Sequence, residues 1–272
     1  KGKAIFKKGE LIRLPIRLGD DSFVTQEISP EKAETLVTAM KGFSEIIKVF
    51  NVISMKACAT SAMRDATNGA EIIARIKKES GINVEIIDGK TEAATIFSNH
   101  VEELMDPKQA YLYIDVGGGS TELTLISNRK VLASKSFNIG TIRILCDKVD
   151  KEEWENFKTW IKKNTAGVQP LTAIGSGGNI NKLYKMSGKK ENKHLSYDKV
   201  KDMYDMLNSY TFDERVTVLG LNPDRADVII PATKIFLTAM KHGDVEKILV
   251  PQIGLSDGII HLLYEEHIAK RK

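Results

Sequence analysis

The sequence predicts an α/β fold, and three observations carry the prediction. Helical and strand-like apolar patterns alternate through the first hundred residues, as they do in layered α/β proteins. Three strand-like runs between residues 111 and 137 are joined only by Gly117-Gly-Gly119 and Asn128-Arg-Lys130. Turns this short allow only an antiparallel meander. Past residue 150, helices and short apolar strands again take turns. At about 150 residues per domain, a chain of 272 residues makes two domains or one large one.

Each element has its own signal. Residues 9–18 (Gly-Glu-Leu-Ile-Arg-Leu-Pro-Ile-Arg-Leu) read as a strand, and Pro15 marks an edge or a bulge. Ser29-Pro30-Glu31 opens a helix with a cap, a first-turn proline and an acid. Ala33, Leu36, Val37, Met40, Phe43, Ile47 and Phe50 follow at helical spacing. A short buried strand covers Val52–Ala59, a helix roughly Gly69–Glu79, a strand Asn83–Ile87, and a helix Gly89 to about Leu104. The polar Met105-Asp-Pro-Lys-Gln109 stretch reads as a hinge. Tyr111–Val116, Thr121–Ser127 and Val131–Phe137 are the meander strands. Trp154, Phe157, Trp160 and Ile161 mark a helix, with both tryptophans in the core. Leu171–Ile174 is a strand, and Gly177–Lys185 begins a helix. Helices follow at about Ser196–Leu207 and Pro223–Met240, the second kinked at Pro231. Val245–Val250 is a strand and Asp257–Ala269 a closing helix.

Composition excludes several classes. With 42% hydrophobic and 28% charged residues, the chain is neither disordered nor fibrous. No run of about 18 apolar residues suggests a membrane span, and the first residues lack the apolar core of a secretory signal. Cys58 and Cys146 are the two cysteines, far apart and outside any CxxC pattern, which points to a reducing cytoplasm. A net charge of +4 suits an anionic substrate but does not mark a nucleic-acid binder. The five histidines show no metal spacing.

The strongest chemical signal is Tyr111-Leu-Tyr-Ile-Asp-Val-Gly-Gly-Gly-Ser-Thr-Glu-Leu-Thr-Leu125. A buried strand ends in Asp115, turns on Gly117, Gly118 and Gly119, and returns through Ser120, Thr121 and Glu122. Glycines admit positive φ and the close approach of an anion, and successive N–H groups there form a nest for phosphate oxygens. Two carboxylates beside a phosphate suit Mg²⁺, which keeps waters and takes substrate oxygens as ligands. The glycines alone fit a tight hairpin equally well. Asp115 before them and Ser-Thr-Glu after them favour phosphate binding. No helix follows the glycines, so this is neither a P-loop nor a dinucleotide fingerprint. Elsewhere, Arg64 follows a buried strand and suits either a phosphate grip or an ion pair with Asp65. Gly175-Ser-Gly-Gly178 is a strand-to-helix turn that suits anion binding or close packing. Arg225 and Asp227 read as a structural pair. Glu92, three residues past Gly89, fits a first-turn capping role.

The Ile-Asp-Val-Gly-Gly-Gly-Ser-Thr-Glu-Leu stretch closely resembles the second phosphate hairpin of the exopolyphosphatase and guanosine pentaphosphate phosphatase family. That family belongs to the sugar kinase, heat-shock chaperone and actin superfamily. Arg17-Leu-Gly19, Ala59-Thr-Ser-Ala-Met-Arg-Asp-Ala66, Ile87-Asp-Gly-Lys-Thr-Glu-Ala93, Ile174-Gly-Ser-Gly-Gly178 and Asp224-Arg-Ala-Asp-Val228 agree in the same order, so the resemblance covers nearly the whole chain. It implies two actin-like, ribonuclease H-like domains with mixed sheets flanking a cleft. The first would span residues 1–109 and regain the helix at about 257–272; the second, 110–256, would carry the glycine hairpin. It further implies Glu92 as the base that activates water, kept ionised by its helix N-terminus, and Asp115 and Glu122 as Mg²⁺ ligands. Phosphates would lie on Gly117–Thr121, Arg64 and Arg17, and a nucleotide or chain near Gly175, Gly177 and Gly178.

Three departures from the family pattern stand out. No Asp-x-Gly-Ser-Asn type turn precedes Lys1, so the sequence is expected to begin inside the second strand of a first phosphate hairpin. Thr91 stands where the family has an acid. Gly254-Leu-Ser-Asp-Gly258 replaces Gly-Leu-Arg-Glu-Gly, with loss of a basic contact. The expected function is Mg²⁺-dependent hydrolysis of terminal phosphoanhydrides, with polyphosphate first and guanosine pentaphosphate second. A non-catalytic nucleotide or alarmone sensor is the alternative class, and a kinase a weaker third. A cytoplasmic homodimer is expected, without nucleic-acid or membrane partners.

Overall fold

The computed structural model describes residues 5–89, 91, 92, 95, 105–188, 194–252 and 254–270. Its centre is a six-stranded mixed sheet of β3 (Ala110–Val116), β4 (Thr121–Ser127), β5 (Lys130–Phe137), β6 (Leu171–Ser176), β7 (His194–Ser196) and β8 (Lys247–Leu249). The spatial order is β5-β4-β3-β6-β8-β7. β3, β4 and β5 form the expected antiparallel meander, while β3 pairs with β6 and β6 with β8 in parallel. β3 lies between β4 and β6 and is covered on both faces, which is why its sequence is a nearly unbroken apolar run. β5 is an edge strand whose outward positions include Lys130 and Lys135, charges that discourage pairing with another chain.

Helices α5 (Thr141–Leu145), α6 (Lys151–Thr165), α7 (Gly178–Met186), α8 (Tyr197–Ser209), α9 (Phe212–Thr217), α10 (Pro223–Ala226) and α11 (Ile229–His242) surround this sheet. The most buried is α11, which contributes Ile229, Ala232, Ile235, Phe236, Ala239 and Met240 to the core. The expected kink at Pro231 is absent. The predicted 223–240 helix instead breaks at Asp227-Val228. Pro231 falls in the first turn of α11, where its missing N–H leaves no helical bond unmade.

A second core lies under α2 (Pro30–Val49) and α4 (Gly69–Ser80), with Ile28, Val37, Met63, Ile72, Ile76 and Ile82 at its centre. Its described strands are β1 (Ala57–Ala59) and β2 (Val84–Ile86), a parallel pair, so no mixed sheet is seen here among the described residues. Two short helices, α1 (Gly19–Ser22) and α3 (Ser61–Asp65), escaped the sequence reading. The predicted 52–59 strand shrinks to three residues, because Val52, Ile53 and Met55 stay exposed.

The predicted strand at 9–18 is overturned. Those residues are irregular up to Ile16 and reach a turn at Leu18. No strand among the described residues pairs with them, and Leu11 is 87% exposed. Ion pairs hold the segment instead, Arg13 to Asp224 and Arg17 to Asp227. The last helix, α12 (Leu255–Ala269), meets the same segment through Phe6, whose ring lies 4.0 Å from that of His261 and edge-on to Tyr264. Among the described residues no helix is long and apolar enough to cross a membrane.

Candidate active site

Asp115 and Glu122 face each other across the antiparallel β3–β4 ladder. Opposed residues on one face of such a pair have Cβ atoms about 4.5–5.5 Å apart. Strand alternation sends Leu112, Ile114, Leu123 and Leu125 into the main core. The opposite face therefore carries Asp115, Glu122, Thr124, Ser134, Ser136 and Ser176 by register. Ser136 Oγ donates to Glu122 Oε1 at 2.9 Å. The Ser120 hydroxyl bonds Glu122 as well, and that of Ser176 bonds Asp115.

The Asp88–Glu92 stretch reaches this face because residue 89 is glycine. A Cβ there would stand 3.0 Å from Ser136 Oγ and 3.3 Å from Glu122 Oε1. Thr91 N–H donates to Asp88 Oδ1 at 2.6 Å, and Glu92 N–H to Asp88 O at 2.9 Å. Asp88 is thus the capping residue, and the Glu92 carboxylate is left to join Asp115 and Glu122. Burial first, then the charges of Glu122 and Asp115, push the Glu92 carboxyl up to about 8. The expectation that a helix N-terminus keeps Glu92 ionised is therefore corrected, because desolvation and two like charges outweigh the dipole. Desolvation and Glu122 push Asp115 up to about 7. Glu122, only 3% exposed, is also raised by burial, against its bonds to Ser120 and Ser136 and the charge of Arg64. Arg64 N–H donates to Ile87 O at 2.7 Å, and its charge opposes the rise of both glutamates. Its nearest approach to Asp65 is 4.0 Å, so the intrahelical ion pair is weak.

The glycine turn presents its donors by having its acceptors tied off. The carbonyls of Gly117 and Gly118 accept from the N–H groups of Thr141 and Ile142, at 3.0 and 2.9 Å. Gly119 O accepts from Arg143 Nε at 2.7 Å. Gly117 N–H closes the turn onto Ser120 O, whereas those of Gly118, Gly119 and Ser120 have no backbone acceptor among the described residues. Thr121 is fully buried and its hydroxyl is spent on Ile139 O, so its role is structural. Arg143 also pairs with Asp65 and stacks over the Phe23 ring at 4.3 Å, fastening the turn to α1 and α3. A Cβ on Gly119 would stand 2.3 Å from Phe23 and 2.6 Å from Ser61 Oγ.

Of the remaining predicted site residues, Gly177 closes on the same place. It has φ +102°, and a Cβ there would lie 3.4 Å from Asp115 Oδ1. Gly175 packs on Ile248 and Ile180, and Gly178 on Arg225. Arg17 is not brought to the carboxylates. Its guanidinium is committed to Asp20 at 2.8 Å and Asp227 at 2.5 Å. The expected Arg225–Asp227 pair is corrected accordingly, since Arg225 bonds Asn179 Oδ1 at 2.9 Å instead. Asp257, one of the departures, accepts from Gly254 N–H and so caps α12.

The sequence profile of the Ppx/GppA phosphatase family matches residues 12–267. The chain belongs to the Ppx/GppA phosphatase family. It is 28% identical to a bifunctional 3-dehydroquinate synthase/phosphatase of Fusobacterium nucleatum over 92% of its own length, but spans only 40% of that protein. It is 25% identical to the guanosine-5'-triphosphate,3'-diphosphate pyrophosphatase of Pseudoalteromonas translucida, over 94% of this chain and 53% of that one. An exopolyphosphatase structure from Cytophaga hutchinsonii superposes with a TM-score of 0.79 at 25% identity, covering 92% of this chain and 88% of the other. As a Ppx/GppA chain it has the family's phosphatase fold.

Within that Ppx/GppA fold, Gly140 and the first turn of α5 hold the glycine turn in place, a contact absent from the sequence-based expectations. Its signal was a glycine just after β5 with an arginine three residues on. Gly140→Ala would place a methyl group 2.3 Å from Gly118 O and 2.4 Å from Gly119 C. The glycine turn must then shift, and overpacking of this kind costs about 1–3 kcal/mol. The expected result is a lower melting temperature together with weaker phosphate-chain binding by calorimetry. Unchanged binding would show that the clamped carbonyls do not matter.

Proposed function

We propose that this chain hydrolyses a terminal phosphoanhydride bond, with inorganic polyphosphate as its first substrate. The observation that carries this reading is a set of three buried carboxyl groups within one another's electrostatic reach, two of them pushed up to about 7 and 8, beside a glycine turn whose carbonyls are already bonded. The free N–H groups of Gly118, Gly119 and Ser120 hold the terminal phosphoryl oxygens. Glu92 accepts a proton from water as its oxygen attacks the terminal phosphorus in line. The bridging P–O bond breaks, and the shortened chain leaves with the bond's electron pair. A base titrating near 8 has the proton affinity for this task near neutral pH.

The donor set also fits Mg²⁺. Among the described residues, no three His, Cys, Asp or Glu side chains come close enough to hold a metal ion by themselves. Asp115 and Glu122 form a carboxyl pair in a desolvated place, where burial raises both above their ordinary values and a bound cation would favour their ionised forms. Two carboxylates plus substrate oxygens is the manner in which Mg²⁺ is held beside phosphates. When bound there it would neutralise phosphoryl charge. The cleft of this reading lies between the unit ending near Gln109 and the unit built on the six-stranded sheet.

Guanosine pentaphosphate is the second substrate, supported by the Pseudoalteromonas relative's name. A sensor that binds without turnover is the competing class. Phosphate release from polyphosphate and from guanosine pentaphosphate, each with and without Mg²⁺, separates them. Release that depends on Mg²⁺ is expected. Tight binding of either compound with no release at any Mg²⁺ concentration would establish the sensor.

A further inference from the structure

Across the sheet from the carboxylates, a cavity of about 590 Å³ opens between α6, α8 and α11. These helices pack on the face of the sheet that carries Leu112, Ile114 and Leu123, not on the face of Asp115 and Glu122. Helical spacing builds the walls. Lys151, Trp154, Glu155 and Lys158 lie at i, i+3, i+4 and i+7 on α6. Lys234, Leu237, Thr238 and Lys241 repeat that spacing on α11. Tyr197 and Tyr204, seven residues apart, face them from one side of α8.

The lining combines two chemistries and has two ends. Trp154, Tyr197, Tyr204 and Leu237 are half-buried and give it flat apolar walls. Around them stand four lysines against one acid, Glu155, which is paired with Lys158 at 2.8 Å. Lys234 lies over the Trp154 ring at 5.5 Å and marks one end. Lys158 and Lys241 mark the other, since both act on His242, whose imidazole is pushed below its ordinary value by burial first and then by Lys162, Lys158 and Lys241. Tyr197 is tied to this second end by its N–H to Glu246 O, just past α11, and Tyr204 lies two turns on, towards the first. Lysines gathered this way repel one another, and a walled cavity focuses their field on an anion. A bare phosphate would use the lysines and leave the rings idle. An occupant that uses both carries a flat ring and negative charge, and the volume is that of a small-molecule site.

We propose that this cavity binds a nucleoside phosphate, with the base between Trp154 and Tyr204 and the phosphates at the end made by Lys158 and Lys241. The site is separate from the carboxylate cluster, so its occupant does not compete with the substrate. It does share α11 with the core side of β3, the strand that ends in Asp115. The proposal stands whether or not the chain hydrolyses polyphosphate.

The test is calorimetric titration of the whole chain with the α,β-methylene analogues of ADP and GDP, which resist hydrolysis. Methylenediphosphonate and adenosine are the comparison probes, one with the charge alone and one with the base alone. At least one analogue is expected to bind about tenfold or more tightly than either comparison probe. Lys241→Ala should weaken that binding by about tenfold or more, since bonds to charged groups are the stronger ones, and Lys241→Arg should restore it. Tyr204→Leu should weaken it by about fivefold or more, the scale of base–aromatic stacking, while Tyr204→Phe should not. Melting curves check that the variants fold. Binding of neither analogue overturns the proposal. So does binding that none of these substitutions moves, which would place the nucleotide elsewhere on the chain. Diphosphonate held as tightly as the nucleotide analogues would also overturn it, by showing an anion site that makes no use of its rings.

Discussion

Glu92→Gln is expected to lower turnover by about 10²–10⁴-fold, the usual contribution of a positioned general base. Glutamine keeps the size and one acceptor but cannot take the proton from water. The cap of this helix is Asp88, so the substitution leaves the helix start intact. Phosphate-chain binding should hold or tighten, because one negative charge leaves the cluster. The parent enzyme should lose activity as pH falls below about 8, where burial and two carboxylates hold Glu92 protonated. Stability gives an independent sign. In the window from about 4.5 to 8 the folded state keeps the Glu92 proton that the unfolded state has lost, so ionising it costs stability as pH rises. The glutamine variant should therefore melt like the parent near pH 4 and higher than it at pH 8–9. A gain of about 1 kcal/mol would read as about 2–4 °C. Turnover within a few-fold of the parent would take Glu92 out of the mechanism, whatever the melting curves show.

The parts of this site that were legible in the sequence are those made by contiguous residues. The β3–β4 hairpin is one: a covered strand, three glycines and a returning strand follow from local pattern alone, and Asp115 and Glu122 come with it. The amphipathic helices α2, α4, α6 and α8 were readable for the same reason. The short helix α9 was missed although its Thr211–Glu214 capping box is present in the sequence. Other features depend on partners distant in the chain. Residues 9–18 have strand chemistry but no neighbour to pair with among the described residues, so ion pairs decide their path. Arg225 and Asp227 are two residues apart, yet each finds its partner elsewhere, in Asn179 and Arg17. The raised carboxyl groups are the clearest case. No local pattern tells that Gly89 packs against Glu122, or that the charge of Glu122 acts on Glu92. From sequence alone, Glu92 is an ordinary first-turn acid; the fold buries it within reach of the charges of Asp115 and Glu122.

Asp115→Asn is expected to raise the Mg²⁺ concentration for half-maximal activity by about tenfold or more, an estimate based on losing one charged ligand of a pair. Asparagine preserves the shape and can keep the bond with Ser176, so β3 should stay in place beside β6. Substrate binding should survive better than turnover, since the backbone donors of Gly118, Gly119 and Ser120 are untouched. A second signature runs the other way. Asp115 is one of the two charges that raise Glu92, so its removal should bring the Glu92 carboxyl down and move the acid limb of the activity profile to lower pH. The variant would then need more Mg²⁺ while working at a more acid pH. A merely structural Asp115 would shift neither, and would lower activity evenly across both titrations. An unchanged Mg²⁺ midpoint together with an unchanged acid limb would separate Asp115 from both the metal and the base. That would leave the carboxylate cluster without the coupling on which the hydrolytic reading depends.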